Sequence, residues 1–194
     1  MIENFTLSQQ NIREGRYWTV LTCAFSHASL SHLAFNMFAF SFGANLSFYC
    51  GLGVARFLAL SFGSALASSA CSMLDETTRA GADSRDPLST QLRYQHLGAS
   101  GMVQGLITAM ALTVPFLPVQ LLFIPISFQF WKAGLGFVAW DFYNLAKARK
   151  ATSRPDGKSN VVGYAAHLGG AVFGAAYYFL ALRYRFGGAF PPRR

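Results

Sequence analysis

Residues Val161–Leu182 read VVGYAAHLGGAVFGAAYYFLAL, a run with no charged side chain. At 1.5 Å per helical residue, such a run crosses the roughly 30 Å hydrocarbon core of a bilayer. Gly170 and Gly174 sit four apart on one helix face, the small-residue spacing that lets transmembrane backbones approach closely. His167 lies about two turns inside the run, where an imidazole costs free energy unless it is partnered or hydrated. Tyr177, Tyr178 and Tyr184 suit an interfacial belt at the far end. The stretch predicts a membrane helix that packs tightly against a neighbour and buries polar chemistry.

The rest of the chain repeats the first of these properties. Residues 33–50 are uncharged and form a first span, and residues 52–74 carry only Arg56, near enough to one end to reach the headgroups. Leu97 to Trp131 is uncharged but too long for one crossing, and Pro115, Pro118 and Pro125 should interrupt it. A third span is therefore expected from Leu97 to about Val114. An apolar connection at the interface follows from Pro115 to Phe130, and a fourth span from about Trp131 to Leu145; a helix over 117–131 is the competing assignment. Val161–Leu182 is the fifth. The expectation is an all-α, polytopic bundle in a single membrane domain over 1–194, with an interfacial loop segment at 1–30, a helical core at 31–185 and a basic tail at 186–194. Residues 75–96 read as a solvated loop and 147–160 as a short basic one. Residues 1–16 lack the apolar core of a secretory signal and the Arg-rich, acid-poor character of a transit peptide.

Only 12% of the 194 residues are Asp, Glu, Lys or Arg, about half the share in a soluble domain. High hydrophobicity excludes a disordered chain, and three cysteines in a chain this long exclude a disulfide scaffold. Cys23, Cys50 and Cys71 read as buried or interfacial apolar side chains. The net charge of +8 does not point to nucleic acid. Lys147, Arg149, Lys150, Arg154 and Lys158 share one gap and Arg183, Arg185, Arg193 and Arg194 the tail, so the cations flank apolar segments as lipid-headgroup partners do. Both clusters are basic on opposite faces, so charge does not set the orientation.

Polar groups inside the spans converge. Spans one, three and five cross in the same direction, so their beginnings share one membrane face. His32 and Asn36, four apart at the opening of the first, Gly98-Ala99-Ser100-Gly101 at the opening of the third, and His167 in the fifth all lie near such a beginning. A serine between glycines at a helix N-terminus offers a nucleophile beside unsatisfied amide donors. His167 can act as its general base, and His32 and Asn36 as further donors to an oxyanion. No carboxylate is evident as a third member, so the arrangement reads as a Ser-His dyad. Gly101 and Gly105 on one helix, with Gly170 and Gly174 on the other, provide the close packing this requires. Asp141 and Lys132 would face a hydrated edge or each other, although nine residues place them about 13 Å apart along a helix. His27 and His96 read as loop or interface residues.

At these residues the sequence resembles the rhomboid intramembrane serine proteases. His32-x-x-x-Asn36, Gly98-x-Ser100-Gly101 and Ala166-His167-x-x-Gly170-x-x-x-Gly174 occur in the family's order, and the resemblance runs from about residue 13 to 185. Phe25-Ser26-His27 and Ala165 to Gly174 look most like the mitochondrial, presenilin-associated rhomboid-like branch. The resemblance implies Ser100 as nucleophile and His167 as base. It also implies an oxyanion hole from His32, Asn36 and the backbone around Ser100, and cleavage of transmembrane segments without metal or cofactor. It points to the mitochondrial inner membrane. The family core has six spans against five readable here; the absent one would precede residue 1, and residues 4–30 resemble the interfacial loop that follows it. Trp18-Thr19 stands where many members have Trp-Arg. A rhomboid-fold protein that binds membrane clients without cutting them is the alternative function. A channel would need polar residues spread through the bilayer depth rather than gathered near one face.

Overall fold

The computed structural model describes residues 2–80, 96–120, 126–152 and 163–186. Three short helices, α1 (Ile2–Phe5), α2 (Gln9–Arg13) and α3 (Thr19–Thr22), lead into a 3-10 turn at Cys23–Phe25. Long helices follow: α4 (Leu30–Tyr49), α5 (Val54–Ala80), α6 (Ser100–Thr113), α7 (Phe130–Thr152) and α8 (Tyr164–Tyr177). The last continues through a π-helical turn at Tyr178–Leu182 into α9 (Arg183–Phe186). The fold is an all-α membrane bundle. By length and composition Val54–Thr78 and Tyr164–Leu182 each suffice to cross a bilayer.

Local chemistry sets the helix ends. The Ser29 hydroxyl accepts the His32 amide at 3.1 Å and caps α4. At its other end Gly51 takes φ +78°, and the amides of Gly51 and Leu52 donate to the carbonyls of Phe48 and Ser47. That double closure needs a left-handed residue, which glycine supplies without strain.

Several expected boundaries move. The segment at 1–30 is not simply a loop, because polar caps such as the Ser8 hydroxyl on the Asn11 amide fold it into short helices. Leu7 within it is fully buried. Helix α5 runs past residue 74 to Ala80, since Asp75 and Glu76 are buried against protein rather than solvated. Within Pro115–Phe130, an antiparallel hairpin pairs β1 (Pro118–Gln120) with β2 (Ser127–Gln129). This excludes the helix over 117–131: Pro118 opens a strand, where its missing N–H costs nothing, and the pairing satisfies backbone groups that lipid would leave bare. Helix α7 then extends past Leu145 to Thr152. Most of the loops expected at 75–96 and 147–160, the first two residues of the fifth span, and the tail beyond Phe186 lie outside the described residues.

Helix α6 is the centre of the bundle and packs on α8, α5, α4 and α7. Leu106, Ala109 and Met110 are fully buried there, with Leu60 and Leu182. The contact with α8 is backbone on backbone. A methyl group at Gly170 would overlap the Gly101 carbonyl oxygen, and one at Gly174 the Gly105 oxygen. Methyls on Gly101 and Gly105 would overlap the hydroxyls of Ser68 and Ser64 of α5 and crowd the Ala166 and Gly170 carbonyl oxygens of α8. Small residues thus hold three helices within reach of one another.

Gly170→Ala is expected to lower the thermal midpoint in detergent, at a cost of about 1–3 kcal/mol for the forced backbone separation. Gly136→Ala in α7, where an added methyl meets nothing within 4 Å, is expected to leave the midpoint unchanged or raise it slightly.

Candidate active site

Ser100 is the first residue of α6, and the preceding Ala99 offers no side chain to cap the helix. The first-turn amides are therefore left without intrahelical acceptors. The loop before it depends on Gly98, whose φ of +118° disfavours any residue with a Cβ. The Gly98 amide donates to the Cys23 carbonyl at 2.9 Å, tying this loop to the 3-10 turn. A methyl at Gly98 would lie 2.8 Å from His32 Cε1, so the glycine also makes room for that ring.

The close packing of α6 on α8 brings Ser100 Oγ to 2.8 Å from His167 Nε2. The other ring nitrogen is engaged as well. His167 Nδ1 lies 3.2 Å from each carboxylate oxygen of Asp141, a residue of α7 that is 6% exposed. This corrects the sequence reading, in which Asp141 faced Lys132 or a hydrated edge and no carboxylate was evident as a third member beside Ser100 and His167. Span four returns to the face where span five begins, so Asp141 meets His167 with α7 and α8 running antiparallel. An ionised carboxylate only accepts hydrogen bonds, so Nδ1 must carry the hydrogen and donate it. In the neutral ring that leaves the Nε2 lone pair to accept from the Ser100 hydroxyl.

His32, Asn36, Gly98, Ser100 and His167 line a single cavity of about 550 Å³. Asn36 is buried, and its side-chain amide donates to the His32 main-chain carbonyl at 2.9 Å. One amide hydrogen is thus committed to its own helix. The His32 ring stands edge-on to His27, centroids 5.2 Å apart. Burial, with a smaller contribution from His32, holds the His27 imidazole below its ordinary pKa. The rest of the cavity wall includes Cys23, Ser68, Ser69, Ser72 and His96. None of these was singled out from the sequence as lining a site, although the three serines stand near the end of a span that returns to the same face. His96 exchanges backbone hydrogen bonds of 2.9 Å with Leu7, and so fastens the N-terminal segment beside the cavity. Of the glycines, Gly98 belongs to the cavity wall, while Gly101, Gly105, Gly170 and Gly174 lie in the helix contact beneath it.

Residues 14–184 match the Rhomboid domain family. The chain belongs to the rhomboid family. It is 30% identical over 162 residues to "Rhomboid protein 1, mitochondrial" of Saccharomyces cerevisiae, covering 82% of this chain and 40% of that protein. It is also 30% identical over 184 residues to "RHOMBOID-like protein 12, mitochondrial" of Arabidopsis thaliana, covering 90% of this chain and 49% of the relative. The rhomboid chain described here thus spans less than half the length of either relative. No solved structure matches it.

The carboxylate contact makes a direct prediction about His167. In its neutral form the imidazole should carry its hydrogen on Nδ1, read as a protonated Nδ1 and a pyridine-like Nε2 in nitrogen-15 spectra. Asp141→Ala is expected to mix the two tautomers.

Proposed function

We propose that this rhomboid chain is an intramembrane serine endopeptidase that cleaves transmembrane segments of other membrane proteins. The observation that carries the reading is the hydrogen-bonded series Asp141, His167, Ser100, opening on a cavity beside a helix N-terminus. Ser100 Oγ attacks the scissile carbonyl carbon while His167 Nε2 takes its proton. The alkoxide that forms is stabilised by the first-turn amides of α6, with His32 and the free Asn36 amide hydrogen as side-chain donors. His167 then returns the proton to the leaving amine, and water entering the cavity hydrolyses the acyl-enzyme with His167 again as base.

Asp141 is a positioning residue in this scheme. It fixes the tautomer and ring orientation of His167 and stabilises the imidazolium as it forms. The proposed machinery is thus a serine and a histidine steadied by a carboxylate, rather than a bare dyad. The substrate class follows from where the site lies: a cavity among membrane helices receives a peptide bond most readily from a segment already in the bilayer. The names of both relatives make the mitochondrion the proposed compartment.

Purified protein should react with a fluorophosphonate probe and cleave a transmembrane substrate, with both activities absent in Ser100→Ala. Labelling or cleavage that persists in Ser100→Ala would refute the proposal. Asp141→Asn is expected to reduce kcat about 100-fold with little change in KM, because the carboxamide can present either an N–H or a carbonyl to Nδ1 and no longer dictates the tautomer. A kcat within about twofold of wild type would remove Asp141 from the scheme.

A further inference from the structure

Helix α7 leaves its outer face uncovered by the rest of the bundle. Leu135, Trp140, Phe142 and Tyr143 are all at least 60% exposed, and the helix is packed mainly along one side, against α8 with a smaller contact on α6. The side chain that must hold His167 in place, Asp141, therefore sits on a peripheral helix. Some feature has to keep α7 from drifting outward at that level.

Two turns beyond Asp141, Arg149 reaches across to α5. Its Nε donates to Asp75 Oδ1 at 3.0 Å, and Nη2 lies 3.0 Å from the same oxygen. The Asp75 side chain is 7% exposed and that of Arg149 is 55% exposed. Helix α8 lies between these partners. It packs on α5 on one side, where a methyl on Gly169 would be 2.8 Å from Cys71 Cβ, and on α7 on the other. Because α5 and α8 run antiparallel, Asp75, one turn past Cys71, is level with the first turn of α8. The ion pair thus spans the N-terminal end of the helix that carries His167.

We infer that Arg149 and Asp75 form a clasp over the start of α8 that positions Asp141 against His167. Resting on the proteolytic reading above, this assigns both residues a role in the reaction through Asp141, without contact with substrate. Removing either member breaks the ion pair that ties α7 to the buried Asp75 carboxylate of α5. The end of α7 is then released, and small displacements of a catalytic array have large effects on rate.

The test uses the full chain in detergent and compares Arg149→Gln, Asp75→Asn and the exchanged pair Asp75→Arg/Arg149→Asp with wild type. Backbone hydrogen exchange over Trp140–Asn144 reads the position of α7 without reference to activity. Both single variants are expected to speed that exchange about tenfold, and the exchanged pair to slow it again. With a transmembrane substrate, kcat should fall about tenfold in the single variants at unchanged KM. In an Asp141→Asn background, Arg149→Gln should cause no further loss, since its effect passes through the residue already removed.

Three results overturn the clasp: unaltered exchange in the single variants, failure of the exchanged pair to restore it, or losses in kcat that simply multiply with that of Asp141→Asn. Should Arg149→Gln fail to fold, Asp75→Asn and the exchanged pair decide the matter alone. A wild-type chain that never labels at Ser100 refutes the proteolytic reading, while the exchange measurements still decide whether Arg149 and Asp75 hold α7.

Discussion

The contact on which the site depends is made by atoms that are not side chains at all. Gly101 and Gly105 of α6 meet Gly170 and Gly174 of α8 so closely that a methyl group on either α8 glycine would occupy the position of a carbonyl oxygen. Lipid tails are as apolar as leucine, so hydrophobic burial gives membrane helices little reason to associate. Close backbone packing supplies the attraction instead, through the summed dispersion of many atoms. It also fixes the distance between the axes. Ser100 immediately precedes Gly101 and His167 stands about one turn above Gly170, so their 2.8 Å separation follows from the glycines beside and below them.

The same close packing makes the polar groups tolerable. An imidazole and a carboxylate near the apolar interior would each be costly alone. Asp141, His167 and Ser100 satisfy one another in series, and the arrangement leaves a single free lone pair on Nε2 for the hydroxyl. Helix α6 adds a second condition. At 14 residues it rises about 21 Å, less than the bilayer core, so the chain must supply non-helical backbone at membrane depth. Such backbone is stable only where protein or water satisfies it. The Gly98 amide bonded to Cys23 and the cavity at the Ser100 end meet that requirement, and the short helix places its open amides there.

The spans were legible because absence of charge is a robust signal over 18 or more residues, and the convergence of His32, Asn36, Ser100 and His167 was legible because consecutive membrane helices alternate in direction. The structure brings those four residues to one cavity. Odd-numbered spans begin at that face, and even-numbered spans end there. Asp141, late in the expected fourth span at 131–145, and Ser68, Ser69 and Ser72, late in the expected second at 52–74, reach the same cavity region for the same reason; the serines went unread and Asp141 was assigned to a hydrated edge. Applied to both kinds of terminus, the topology would have pointed to the carboxylate. The hairpin at Pro118–Gln129 was beyond reach of hydropathy, since an apolar proline-rich run has the same composition whether it pairs with itself or not. The length of α5 was misjudged for a related reason: Asp75 and Glu76 look like loop residues until their burial is known.

The serines of α5 show how packing and chemistry share one set of positions. Ser64 and Ser68 face the glycines of α6 at van der Waals limits, so a larger side chain at either would push α5 away from the central helix. Ser68, Ser69 and Ser72 continue that face upward into the cavity wall. Alanine at these upper positions would make that side of the wall apolar, and at Ser69 it would also lose the hydrogen bond that the hydroxyl donates to the Val20 carbonyl; apolar walls hold water poorly. The proteolysis proposed for this chain would need water at the serine to hydrolyse the acyl-enzyme. A helix face of small hydroxyls meets both demands, allowing the backbones to close below Ser100 and leaving a wettable surface beside it.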